Sequence, residues 1–240
     1  MRIIIIRHGD PNYDFDCLTE KGKKEAELLA KFLKEEKIDY VYSSPLGRAK
    51  ETCDYYLKET GKNAEIKEWL QEVNCPVLHE DDNEYRYPWD YDPKFWTDKE
   101  YFYDRNKWKE YPVFKQYELD KEYDRIIQKF DELLSKHGYT KEGNHYKVTR
   151  SNHETIAIFC HFGVECVMLS RLLGFSPFLL WHSTCSLTSG VTRIITEERN
   201  NGYATFRLNE FGSIDHLRRA NEKPSRCAMF TECFNDDDRH

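Results

Sequence analysis

Arginine and histidine stand side by side in Arg7-His8-Gly9, and a second arginine closes the run Ser43-Ser44-Pro45-Leu46-Gly47-Arg48. A second histidine follows in Cys160-His161-Phe162-Gly163. Guanidinium groups fork onto oxyanions, phosphate above all, and an imidazole serves as nucleophile or proton carrier near neutral pH. Gly9 lets the backbone turn and approach a ligand closely. Any one of these short runs is weak by itself. Their meaning depends on whether the fold gathers them.

The flanking sequence supplies the elements. Residues 2–6 form an unbroken β-branched run that ends directly in Arg7-His8-Gly9, the pattern of a strand buried on both faces of a parallel sheet. Residues 19–37 read as an amphipathic helix capped by Thr19, with Ala26, Leu29, Ala30 and Leu33 on the apolar face. A second strand spans 39–43; a helix opens at Ser44-Pro45 and runs to about Thr60, where Gly61 ends it. With a short strand at 64–67, the first 70 residues alternate strand and helix as an α/β sheet does. Residues 155–160 are another buried strand, running into a helix that ends at Leu173-Gly174. Residues 191–196 and 204–208 form a hairpin over Asn200-Asn201-Gly202. Ligand sites in such sheets form at the carboxyl ends of strands. Three strands therefore deliver Arg7, His8, Arg48 and His161 to one sheet edge.

Residues 76–125 change character, mixing acids with aromatics such as Tyr87, Trp89, Trp96, Trp108 and Phe114. They read as part of an insertion, about 76–150, that packs over the sheet and caps the site, with a long helix over 118–137. The expected fold is a single α/β domain over 1–240. It is a three-layer sandwich with a central, mostly parallel sheet flanked by helices, plus the aromatic-rich insertion. The tail from Ala220 is polar, ends Asp236-Asp237-Asp238 and reads as frayed.

Net charge of −7 argues against nucleic acid as a partner, although a small basic pocket in an acidic protein still draws in one phosphate. No stretch approaches the ~20 apolar residues of a membrane span, and the opening apolar run is cut off too early for a signal peptide. The eight cysteines are scattered without a C-x-x-C pair or metal-ligand spacing. Reduced thiols in a cytoplasmic protein are the expectation, several of them core filler.

Taken together, Arg7-His8-Gly9, Leu18-Thr19-Glu20-Lys21-Gly22, the run Ser43 through Thr52, the Glu72 position and His161 resemble the histidine phosphatase superfamily, which includes the cofactor-dependent phosphoglycerate mutases. The likeness spans residues 2–75 and 155–175, with a family-like hairpin after them. It implies that His8 is the nucleophile and forms a phosphohistidine. Arg7, Arg48 and His161 would bind the phosphate and stabilise its charge, and Glu72 would protonate the leaving oxygen. A carboxylate of the insertion, Glu80 or Glu84, would replace Glu72 if it is not the acid. The resemblance also implies a small phosphorylated substrate, no metal and no cofactor; it leaves the oligomeric state open. His153, His182 and Cys185 lie near the right strands and read as structural.

Two departures matter. Family members often carry asparagine six residues after the nucleophile, where this chain has Asp14, which is expected to point away from a phosphate. Only Asp10 to Cys17 intervene between the R-H-G triplet and the next motif, as in the phosphatase branch and unlike the longer mutase segment. A metal-independent phosphomonoester hydrolase is therefore the leading reading. A phosphoglycerate-type mutase and a non-catalytic phospho-ligand binder are the alternatives.

Overall fold

The computed structural model of the chain describes residues 1–79 and 83–234, so Glu80 and Asp236 to Asp238 lie outside the described residues. The elements that position the site are, in chain order, β1 (Arg2–Arg7), α1 (Glu20–Leu33), β2 (Tyr40–Ser43), α2 (Gly47–Thr60) and β3 (Glu65–Ile66). They continue with α3 (Leu119–Lys136), β4 (Tyr139–Glu142), β5 (His145–Val148), β6 (Thr155–Cys160), α4 (Phe162–Leu173), β7 (Val191–Asn200) and β8 (Tyr203–Ser213).

The strands form one eight-stranded sheet in the order β3-β2-β6-β1-β7-β8-β5-β4. The side chains of β1 alternate between two cores, as a strand's two-residue period requires. Ile3 and Ile5 join Ile156, Ile158 and helices α3 and α4, while Ile4 and Ile6 join Phe159 and the apolar faces of α1 and α2. That gives the expected three layers. The sheet is mixed rather than mostly parallel. Pairing is parallel from β3 through β2 and β6 to β1, and antiparallel from β1 through β7, β8 and β5 to β4.

Part of that antiparallel half comes from residues 139–148, which the sequence reading left inside the insertion. They form a hairpin turned at Gly143, whose φ of +56° favours glycine. Its buried positions are few, chiefly Tyr139 and Tyr146, and its polar residues face water, so the alternating pattern is sparse. Among the aromatics of the insertion, most are core. Phe102 stacks on Phe178 at 3.9 Å and Trp108 meets Trp181 edge-on at 5.8 Å, so this segment is tied to the helices after β6.

Two local features fix the edge where the strands end. A short ribbon, Pro11–Asn12 against Cys17–Leu18, follows Gly9 and packs on α1 through Gly22, where a Cβ would fall 2.2 Å from the Asp10 carbonyl oxygen. Helix α1 is capped by Thr19, which accepts from the Gly22 amide, and α2 ends on Gly61 at φ +69°. No described helix is long and apolar enough to cross a membrane. All eight cysteines are unpaired, and Cys53 is pushed up to about 12 by burial, as suits a core filler.

Candidate active site

His8 is the residue immediately after β1 and is 3 % exposed. Its backbone is held from both sides: its N–H donates to the Cys160 carbonyl at 3.0 Å, and its own carbonyl accepts from the Ser189 N–H at 2.9 Å. The ring is oriented by Nδ1, 2.7 Å from the Gly9 carbonyl. A carbonyl only accepts, so Nδ1 carries the proton and Nε2 keeps its lone pair. The Nε–H of Arg48 points at that Nε2 from 3.3 Å. Burial, followed by the charges of Arg7 and Arg48, holds His8 well below the ordinary histidine range. The ring is thus a neutral base beside two permanent cations.

His161 follows β6 and its ring centroid lies 5.1 Å from that of His8. Ser44 Oγ lies 2.8 Å from His161 Nε2 and also accepts from the Leu46 N–H at 3.2 Å. In the tautomer in which the serine hydroxyl donates to Nε2, the proton of His161 sits on Nδ1. That Nδ1 is buried without a partner, as is Nε of Arg7. A buried unpaired donor is costly unless a ligand satisfies it, so both groups fit an oxyanion. Burial, then His8 and the two arginines, also keeps His161 neutral. The Arg7 guanidinium donates through Nη1 to the Ser186 carbonyl and lies 5.6 Å from the Phe162 ring centroid.

Glu72 arrives from the loop after β3 and meets the first turn of α4. Its Oε2 accepts from the Gly163 N–H and its Oε1 from the Val164 N–H, both at 3.1 Å. The carboxyl thus takes the capping place that the His161 side chain leaves empty. Burial pushes Glu72 up, against the pull of the Gly163 and Val73 amides and of Arg7 and Arg48. Glu84 is exposed.

The structure therefore brings together Arg7, His8, Arg48, His161 and Glu72. It leaves His153 exposed before β6 and sets half-buried His182 against the aromatic core, stacked on Phe178 at 4.1 Å and pushed down to about 4 by desolvation. Asp14 is exposed, as its sequence position suggested.

Three residues near the site were not singled out from sequence. Asp16, at the tip of the ribbon, pairs through Oδ1 with Arg48 Nη1 and accepts through Oδ2 from the Gly47 N–H, each at 2.6 Å. Tyr13, on the same tip, lies with its ring centroid 5.3 Å from the Arg48 guanidinium carbon. Glu165, one turn into α4, is fully buried, accepts from Thr192 Oγ1 and is pushed up to about 7 by burial. The one signal for Glu165 is its place as the only charged residue in the apolar run Phe162 to Leu169.

A cavity of about 380 Å³ opens beside Arg7, walled by Tyr13, Tyr87, Trp89, Phe162, Cys185 and chain 227–231. Tyr87 and Trp89 are stacked in parallel at 4.9 Å. Among the described residues, Arg7 is the only cation on its lining, and Asp90 the only acid.

The profile of the histidine phosphatase superfamily (branch 1) matches residues 3–208. The chain belongs to this superfamily. A probable 2-carboxy-D-arabinitol-1-phosphatase of Arabidopsis thaliana is 32% identical over 63 residues, 22% of this chain and 13% of that protein. A probable phosphoglycerate mutase of Photorhabdus laumondii is 28% identical over 87 residues, 32% of this chain and 40% of that protein. The chain thus spans less than half the length of either relative. Among solved structures, a phosphoserine phosphatase of Entamoeba histolytica in complex with 3-phosphoglyceric acid superposes with a TM-score of 0.57 at 19% identity, covering 90% of this chain and 98% of that one. A mycobacterial glucosyl-3-phosphoglycerate phosphatase gives 0.58 at 15%, covering 88% and 98%. An α-ribazole phosphatase of Shigella flexneri gives 0.54 at 21%, covering 89% and 97%. At these identities the likeness concerns the superfamily fold.

Proposed function

We propose that the protein is a phosphomonoester hydrolase that works through a phosphohistidine on His8. One observation carries this reading: Nε2 of buried, neutral His8 faces Arg48 Nε at 3.3 Å, in the field of Arg7 and with the His161 ring 5.1 Å from its own. In the first step Nε2 attacks phosphorus and the P–O bond to the leaving group breaks. Arg7, Arg48 and His161 hold the phosphoryl oxygens. Glu72, pushed up by burial, gives its proton to the leaving oxygen. In the second step water attacks phosphorus, the P–N bond breaks, and the Glu72 carboxylate takes the water proton. Neither step draws on a metal or cofactor, because the cations and donors are side chains.

The substrate is a small phosphorylated metabolite whose organic part occupies the aromatic cavity beside Arg7. That cavity favours hydrolysis over a mutase reaction. A phosphoglycerate-type mutase must hold a second anionic group, and among the described residues Arg7 is the only cation on the lining.

Rapid acid–base quench with a labelled substrate tests the proposal. An acid-labile, base-stable label on His8, no turnover by His8→Ala, and full activity after exhaustive chelation are expected. Wild-type turnover by His8→Ala would overturn the mechanism, and activity lost to chelator and restored by magnesium or zinc would overturn its metal independence.

A further inference from the structure

A second cavity, also about 380 Å³, shares no lining residue with the first. It is walled by the last turn of α4, the turn between β4 and β5, and the segment carrying Arg105. Three cations, Arg105, Lys141 and Arg171, converge on it from these separate segments, and among the described residues no acidic side chain lines it. In a chain of net charge −7 that is an uneven distribution.

The charges are only partly answered. Arg171 forks onto Asp131, with Nε 3.1 Å from Oδ2. Arg105 donates to the neutral Asn144 Oδ1 at 2.7 Å. Lys141 lies over the Tyr146 ring, 4.2 Å from its centroid, and has no ion pair among the described residues. Tyr146 lines the same cavity, is 1 % exposed, and has a hydroxyl with no hydrogen-bond partner. A buried hydroxyl left unpaired costs free energy, and so do three cations gathered beside the single carboxylate of Asp131. Two guanidinium groups and an ammonium converging on one cavity match an oxyanion in charge and in donor chemistry. Leu172, Phe175 and Phe206 supply an apolar wall on the same cavity.

We propose that this cavity binds a small phosphate-class oxyanion, free phosphate or a phosphate monoester, at a site separate from the His8 site. Lys141 supports it from another direction: burial, then Arg171 and Arg105, push its amine down to about 8, and a bound dianion would reverse that. The inference does not rest on the hydrolase reading, because it concerns binding at residues that take no part in turnover.

Lysine-selective acetylation with an N-hydroxysuccinimide ester, read by peptide mass spectrometry on the full chain at pH 8, tests it. Exposed Lys62 serves as internal reference. Lys141 should react faster than Lys62, and inorganic phosphate at constant ionic strength should slow Lys141 at least fivefold and saturably, with Lys62 unchanged. Phenyl phosphate on the His8→Ala protein forms the ester arm. Protection at lower concentration by phenyl phosphate assigns the site to an ester, and protection at equal or lower concentration by phosphate assigns it to the free ion. If neither slows Lys141, the proposal is overturned, and the arginines serve only the carbonyl end of α4. Calorimetric titration of phosphate should show two sites on the wild-type protein and one on Arg105→Gln/Lys141→Gln. Equal stoichiometry in the two would also overturn it.

Discussion

Asp16 holds Arg48 at 2.6 Å from one side while the same guanidinium, through Nε, points at His8 Nε2 from 3.3 Å on the other. A phosphate arriving at His8 must therefore compete with a resident carboxylate for this arginine. Asp16→Asn removes the competing charge and keeps an oxygen for the Gly47 N–H. A partly exposed pair of this kind is worth up to about 1 kcal/mol, so KM should fall by roughly two- to fivefold with kcat little changed. Steady-state kinetics decide it, and a KM that rises tenfold would show that Asp16 organises the site instead.

Glu72→Gln should slow hydrolysis of an alkyl phosphate by about 10²–10⁴-fold, the span of general acid catalysis. Hydrolysis of p-nitrophenyl phosphate, whose leaving group departs without a proton, should suffer far less. The amide also places an N–H₂ against one of the α4 amides, which slows both substrates alike. The ratio of the two losses isolates the proton transfer. Equal losses would leave Glu72 a helix cap and nothing more.

The pH profile follows from the directions of the shifts. His8 is pushed down, so it stays unprotonated as pH falls through the ordinary histidine value of about 6.5. Glu72 is pushed up, so its proton survives above the ordinary carboxyl range and is lost as pH rises through the raised value. The kcat/KM profile for an alkyl phosphate should carry an alkaline limb that Glu72→Gln abolishes. An acid limb near 6.5 that does not move with the phosphate ionisation of different substrates would contradict the neutral His8.

Gly163 is a position where size should matter sharply. A Cβ there would lie 2.4 Å from the Trp89 ring and 2.5 Å from Glu72 Oε1. Gly163→Ala must push the acid and the cavity wall apart, with an overpacking cost of about 1–3 kcal/mol. A Tm lower by several degrees, and a loss on alkyl phosphates exceeding that on p-nitrophenyl phosphate, are the expected results. Wild-type Tm and kinetics would show that the helix start yields freely.

Much of this site was legible because Arg7, His8 and His161 follow continuous buried strands. A run such as Ile3 to Ile6 has few other places to go than the middle of a sheet. Arg48 was legible for a related reason, since Pro45 and Gly61 bracket its helix. Asp16 was not, because its contact with Arg48 crosses 32 residues and depends on a ribbon only two residues wide. The 139–148 hairpin hid behind polar residues, and its effect was to turn a sheet expected to be mostly parallel into a mixed one. The aromatics of 76–125 were visible as a composition, yet nothing in their spacing separates Trp108, wholly buried, from Trp89, which faces the cavity.

Eight of the residues lining the cavity beside Arg7 come from two stretches, 87–90 and 227–231, that hold none of the side chains proposed to handle phosphate. In the proposed hydrolase, recognition of the departing group would thus rest largely on stretches separate from those that attack phosphorus. Random replacement confined to those two stretches should yield variants that exchange one phosphate ester for another while their rates on p-nitrophenyl phosphate stay level. On the proposed mechanism, a change of preferred phosphate ester would then need no change to His8, Arg48, Glu72 or His161.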